Sequence, residues 1–389
     1  MLNYGIHFLI FLYAMLKTTF PLYVFGLILI TNLFSPIKSA SQQSISAAYN
    51  YGKIYPHNTD IEPLVKDPVY GFTINYYFPN RWGEEWRNFY NHPNYGLSFN
   101  YKSYGNPEVV GDSYSLSSFY QMSVLPRRKY FDVGVLAFSG IGYITKIYDE
   151  VENPTNLAIS THFNITADLR YYVKVRVHPV YIEYSRGLNH FSNGLIKAPN
   201  LGINVKNNNL TLGYEFEDLP VHKKIPSAER NKEPRHEFWV YGATGVKEIS
   251  GLADKRFVSV NASLNYTYRT TVINKMGLGL DFVHDPSLED YAYLTYNNYQ
   301  GEPSLNFRSG ISLHNEFVFK HTGLFTSYGF NFTTNEFYAR QRYYKVGLKF
   351  YYKDLIGVVL LRAIPLFRAD LLELGIGYRI PVKSKKNRE

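Results

Sequence analysis

The chain predicts an all-β fold, an antiparallel transmembrane β-barrel of roughly 14 to 16 strands, and three observations carry that expectation. Segments alternating apolar with polar residues recur along most of its length, an apolar leader precedes them, and Tyr and Phe are abundant, with 37 and 27 copies in 389 residues. Alternation alone fits a soluble sandwich as well as a barrel, because a strand with one wet face reads the same in both. Leader, strands of about ten residues or more and aromatic supply together point to a barrel with lipid outside, a polar lumen and aromatic girdles at the interfaces.

Composition closes other classes. A mean hydropathy of -0.25 is too polar for a helical membrane bundle. With no Cys there is no disulfide, thiolate metal site or cysteine nucleophile. The formal charge of +9 is spread over many alternating segments without a zinc-finger or RNA-binding signature. An anionic membrane surface is therefore a more natural partner than nucleic acid.

Residues 1–41 read as a signal peptide. Met15 is followed by Lys17, an apolar stretch from Phe20 to Phe34, and small residues at Ser39, Ala40 and Ser41, so Met15 is a possible true start. The residues before Met15 are also apolar, which leaves a retained N-terminal anchor as the alternative. No later run reaches the roughly 20 apolar residues of a spanning helix.

Period two dominates from there. Val258, Val260, Ala262, Leu264, Tyr266 and Tyr268 alternate with Ser259, Asn261, Ser263, Asn265 and Thr267. Tyr344, Val346, Leu348 and Phe350 alternate with Lys345, Gly347 and Lys349, and Leu372, Leu374, Ile376, Tyr378 and Ile380 with Glu373, Gly375, Gly377 and Arg379. Residues 42–389 are expected to form a single barrel. A polar connection around 218–236, with Lys223, Lys224, Arg230, Lys232, Arg235, Pro226 and Pro234, is expected to be a solvated loop between its halves.

One strand pair can be placed more closely. A strand from about Ile165 to Val177 meets the next, from Val180, through His178 and Pro179, a tight turn of the periplasmic kind. The strand from Val180 then runs outward to the loop Asn193–Leu201. Val180, Ile182, Tyr184, Leu188, His190 and Ser192 share its apolar, lipid-side face, while Glu183, Ser185 and Asn189 share the luminal one. His190 and Ser192 are thus roughly 7 Å apart along one face, at the level of the outer leaflet. An imidazole beside a hydroxyl is the base and nucleophile of acyl transfer, with Ser192 attacking and His190 accepting its proton. Arg186 shares that face; it either snorkels to the interface or meets a lipid phosphate.

Other candidates are weaker. His284, Asp285, Glu289 and Asp290 match no named calcium loop and are expected in a solvated extracellular turn, so no metal site is assigned.

The run His190-Phe191-Ser192-Asn193-Gly194-Leu195, with Lys197, Pro199, Asn200 and Gly202, resembles the active-site segment of the lipid A 3-O-deacylase (PagL-type) family, closely over about Tyr184 to Tyr214. Outside it, Tyr95-Gly96, Gly105-Asn106-Pro107 and Ala369-Asp370 to Gly377-Tyr378-Arg379 look like the larger relatives labelled acyloxyacyl hydrolase. Members of that family are eight-stranded outer-membrane barrels that remove an ester-linked acyl chain from lipopolysaccharide, and the resemblance implies the same activity for this longer chain. It implies Ser192 as nucleophile, His190 as base, and Asn200 with the backbone around Asn193 and Gly194 near the oxyanion.

One position departs from the pattern. The family's Glu follows its His by fourteen residues, where this chain has Asn204. An Asn oxygen accepts the imidazole N–H but brings no charge to an imidazolium. Counting in twos from Leu210, Leu212 and Tyr214 puts Asn204 on the outer surface with His190, across one antiparallel pairing, and Glu215 and Glu217 on the opposite face.

The expectation is a monomeric or weakly oligomeric barrel in the outer membrane of a Gram-negative bacterium that hydrolyses an acyl ester of lipid A, lipopolysaccharide or another acylated lipid, with no cofactor. The competing class is a non-enzymatic channel or structural barrel with a degenerate motif; a lumen filled by side chains argues for the enzyme, an open pore for transport.

Overall fold

The computed structural model describes residues 43–79, 90–125, 128, 130–216, 234–249, 255–296, 300–301, 303–332, 341–364 and 368–382. The signal-peptide assignment and most of the 218–236 connection lie outside them. Eight strands come from the first half: β1 (Ser44–Ile54), β2 (Val69–Tyr77), β3 (Asn94–Ser103), β4 (Asp112–Ser123), β5 (Phe131–Ile144), β6 (Phe163–Val177), β7 (Val180–Ser192) and β8 (Ile203–Glu215). Eight more follow: β9 (His236–Glu248), β10 (Arg256–Thr271), β11 (Asn274–His284), β12 (Phe307–Phe319), β13 (Thr322–Asn331), β14 (Arg342–Tyr352), β15 (Leu355–Ile364) and β16 (Arg368–Val382). One helix, α1 (Ser287–Thr295), joins β11 to β12. No helix among the described residues is long and apolar enough to cross a membrane.

The all-β, antiparallel class and the upper strand number hold, but the single barrel does not. The strands close as two separate eight-stranded barrels, β1–β8 and β9–β16. β8 returns to the free edge of β1 in register from Ser44↔Glu215 to Ile54↔Val205, and β16 does the same with β9 from Leu374↔Thr244 to Val382↔His236. The 218–236 segment therefore spans the passage from one barrel to the other. One ring of sixteen strands and two of eight have the same alternation and the same hairpins; only the choice of closing edge differs.

Closure at eight leaves an interior that side chains fill. In the first barrel Lys102 on β3 reaches Asn189 on β7 at 2.7 Å, and Gln121 on β4 reaches Glu183 on β7 at 2.6 Å. Arg176 pairs with Asp132 at 2.8 Å, and Asn50, Thr73 and Asn100 bond in series. The second lumen is richer in ions. Lys247 and Arg308 hold Asp285 and Asp370, Lys345 holds Asp281, Lys349 holds Glu316, and Lys275 holds Glu237, all between 2.7 and 3.1 Å. Outward positions are the reverse: Ile182, Leu188, Leu210, Leu212, Val258, Leu264, Leu278 and Leu313 are exposed.

In each barrel one rim gathers longer connections. In the first these are 55–68, 104–111, 145–162 and 193–202, and they enclose an apolar cluster of Ile54, Ile61, Leu64, Val110, Ile144, Ile159, Phe191 and Ile203 that plugs the mouth. The opposite rim carries the two-residue turn His178–Pro179 between β6 and β7, as expected, together with the connections 78–93 and 124–130. The acidic segment after β11 is no solvated turn. Asp285 is fully buried in the ion network and its Oδ1 accepts from the N–H and hydroxyl of Ser287 at the start of α1, while Asp290 pairs with Lys255 and Glu289 bonds Asn306.

Candidate active site

The expected facing of β7 is observed: Ile182, Tyr184, Arg186 and Leu188 point outward, and Glu183, Ser185 and Asn189 point into the lumen. His190 and Ser192 continue the outward row to its last residue. Asn204 stands directly across from His190 on β8, with no bulge between them. Ser192 Oγ lies 2.8 Å from His190 Nε2, and His190 Nδ1 lies 2.8 Å from Asn204 Oδ1. An amide oxygen only accepts, so Nδ1 carries the imidazole proton. Nε2 is left with the lone pair that receives the Ser192 O–H.

Burial grades the three groups. Ser192 is 8% exposed, His190 and Asn204 are half-buried, and the inward neighbour Phe191 is anchored in the apolar plug. Gly202 lets the ring sit where it does. Its φ is +75°, in the left-handed region, and a Cβ there would fall 2.8 Å from His190 Cε1 and 3.3 Å from Ser192 Cβ.

The loop after Ser192 is held on several sides. Asn193 donates from Nδ2 to Ser160 Oγ at 3.0 Å and to the Lys197 carbonyl at 2.9 Å. Its backbone N–H donates to Asn200 Oδ1 at 3.1 Å. Asn200 thus meets Asn193 as the motif implies, but the Asn193 N–H is occupied by that oxygen. Gly194, with φ +69°, follows immediately. The second barrel reaches the same loop: Glu248 N–H donates to the Leu195 carbonyl at 3.2 Å, its Oε2 accepts from Ala198 N–H at 3.2 Å, and a Cβ at Gly194 would touch Leu372 at 3.5 Å. At the opposite rim Tyr90 stacks on Phe319 with ring centroids 4.7 Å apart.

Arg186 is not brought to this cluster. It lies four residues below His190 on β7, ~13 Å along the strand, and faces Asn208 across the ladder. Conversely, His57 was not marked by any pattern yet touches the site. Its Nδ1 is 2.9 Å from Asn204 Nδ2 and its Nε2 is 3.0 Å from the Leu201 carbonyl. It lies just past β1, which the closure on β8 carries to Asn204, with the Tyr55 N–H on the Asn204 carbonyl at 2.7 Å. Among the described residues no group of three or more His, Asp or Glu is arranged to hold a metal ion.

Comparison with known families divides the chain where the two barrels divide. Residues 70–215 match the lipid A 3-O-deacylase (PagL) model, and residues 236–383 match the acyloxyacyl hydrolase C-terminal domain. The chain belongs to the PagL lipid A deacylase family. Within that family of hydrolases it has the long form, with the deacylase domain as the first barrel and the C-terminal domain as the second. No relative matches among curated proteins. Solved barrels are distant. The N-terminal barrel of Pseudomonas aeruginosa OprF is 13% identical, covering 45% of this chain and 100% of its own with a TM-score of 0.27. Neisserial surface protein A is 13% identical, covering 46% and 98% with a TM-score of 0.30. A Rh. blastica porin mutant is 9% identical over 87% and 100% with a TM-score of 0.19. None is close enough to carry a mechanistic argument.

Proposed function

We propose that this PagL-family chain is an outer-membrane serine ester hydrolase that removes an acyl chain from lipid A. The observation that carries the reading is the row Ser192, His190, Asn204, hydrogen-bonded at 2.8 Å per step on the outward, apolar wall rather than in the lumen. A nucleophile facing lipid suits a substrate that is itself part of the membrane. The tight turn at His178–Pro179 is the periplasmic kind, so the opposite rim and the site belong at the outer leaflet of a Gram-negative cell.

Ser192 Oγ attacks the ester carbonyl carbon as its proton passes to His190 Nε2. The tetrahedral oxyanion is met by the Gly194 N–H and the Asn200 side-chain amide, since the Asn193 N–H is already given to Asn200 Oδ1. The C–O bond to the sugar breaks, and His190 returns its proton to the departing alkoxide. Water, deprotonated by His190, then releases the fatty acid from Ser192. Asn204 orients the ring throughout, with a dipole where the family has a carboxylate. Filled lumens and the apolar plug support this reading over a channel. The chemistry asks for no cofactor and for one chain only.

Mass spectrometry of lipid A from cells with and without the protein tests it: a species lighter by one acyl chain is expected. Ser192→Ala should leave a folded, heat-modifiable barrel and remove that species, a loss of about 10⁶-fold into background. Unchanged lipid A together with ion conductance in planar bilayers would overturn the hydrolase in favour of the channel.

A further inference from the structure

We propose that His57 is a positioning residue that orients the Asn204 amide and thereby selects the reactive tautomer of His190. The inference rests on the hydrolase reading above and adds a fourth member to its site.

One group in this row has a hydrogen-bond direction that cannot change. The Leu201 carbonyl only accepts, so His57 Nε2, 3.0 Å away, carries the proton. A neutral His57 then has a lone pair at Nδ1. The atom 2.9 Å from it must donate, which makes it the Asn204 NH₂ group. The Asn204 oxygen is therefore turned to His190, 2.8 Å from Nδ1, and that nitrogen must be N–H. Nε2 is left as the acceptor for the Ser192 hydroxyl at 2.8 Å. Every hydrogen follows from the carbonyl at the end of the row.

A carboxylate at position 204 needs no such guide, because both of its oxygens accept. An amide has two orientations, and only one serves catalysis. With the NH₂ group toward His190, Nδ1 becomes the acceptor, the imidazole proton moves to Nε2, and Nε2 donates to Ser192 instead of taking its proton. His57 removes that second orientation. The residue sits on the connection after β1, in a barrel whose closure pairs Ile54 with Val205, one position beyond Asn204.

The test is a double-mutant cycle on the full-length protein with purified lipopolysaccharide in detergent, following fatty-acid release. His57→Phe should lower kcat about tenfold with little change in KM. In an Asn204→Asp background, where orientation no longer matters, the same substitution should cost about twofold or less, so the two effects couple. His57→Gln, whose amide again offers one donor and one acceptor, should recover part of the loss. Nitrogen-15 spectra of the histidines, with His190 assigned by its own deletion, should show the proton on Nδ1 in the parent and a shift toward Nε2 in His57→Phe. Equal penalties in both backgrounds, or an unshifted His190 tautomer, would overturn the proposal and leave His57 a structural contact. If the parent releases no fatty acid, the hydrolase reading fails by itself, while the nitrogen spectra still decide the role of His57.

Discussion

The seventh and eighth strands of the two barrels occupy equivalent places and have opposite surfaces. In the first barrel the outward row at the long-loop rim is polar: His190 faces Asn204 across the ladder, and Ser192 ends the strand before the long connection 193–202. In the second, Leu361 faces Leu372, Ala363 stands where the nucleophile would be, and β16 follows after a short connection. Leu372 is only 7% exposed despite pointing outward, and it lies against Gly194 of the first barrel. The same architecture thus carries chemistry on one copy and a packing surface on the other. What differs is a few outward residues and the length of one loop, since the strands themselves only supply a wall.

That contrast can be broken in three places, of decreasing effect. The largest concerns the interior of the second barrel. Lys345 bonds Asp281 at 2.7 Å and the Tyr241 hydroxyl at 2.8 Å, with Glu373 at 3.9 Å. Lys345→Met strands buried carboxylates, which costs about 3–5 kcal/mol. The urea midpoint of the second barrel should fall by a corresponding amount while fatty-acid release at permissive temperature stays within about twofold. Loss of rate in step with loss of stability would mean that the site depends on the second lumen.

Next is Gly202, the glycine that makes room for the imidazole. Gly202→Ala forces a side chain into the left-handed region and against His190 Cε1. The expected outcome is a fall in kcat of about a hundredfold, the usual consequence of moving a catalytic group by about 1 Å, with the barrel still heat-modifiable. A parent-like rate would show that the ring tolerates displacement.

The smallest effect measures how far one barrel helps the other. Glu248→Ala removes the carboxylate that accepts from Ala198 N–H and from Arg256 Nε, while the backbone bond to Leu195 survives. Losing one hydrogen bond to the loop should slow release by about two- to tenfold. No change in steady-state kinetics would assign the loop's shape to the first barrel alone, through Asn193, Ser160 and Asn200.

The β7–β8 pair was legible in unusual detail, and the reason is local. A side-chain period of two makes facing a matter of counting: His190 and Asn204 fall on the same outward face by parity, and the absence of a bulge in the β7–β8 ladder sets them directly opposite. Counting says nothing about what a polar atom already holds. The Asn193 N–H was a natural oxyanion donor by position, yet the Asn200 oxygen occupies it. Arg186 shared the right face but sits too far down the strand to take part. Gly202 belonged to the motif without a stated role until its clearance to His190 could be measured.

By itself the sequence determined the strands, their facing, and the nearest-neighbour geometry of Ser192, His190 and Asn204, because all of these are set by contacts within one hairpin and by a repeat of two. Only the tertiary structure decided that sixteen strands make two rings, that Glu248 and Leu372 border the active loop, and that His57 reaches Asn204. Each of those depends on which free edge a last strand finds. The bonds that seal β8 to β1 are the same backbone bonds that would seal it to any other edge, so no side-chain pattern announces them. Closure brings residues 147 positions apart into contact, and the orientation of the amide on which the base depends is a product of that closure.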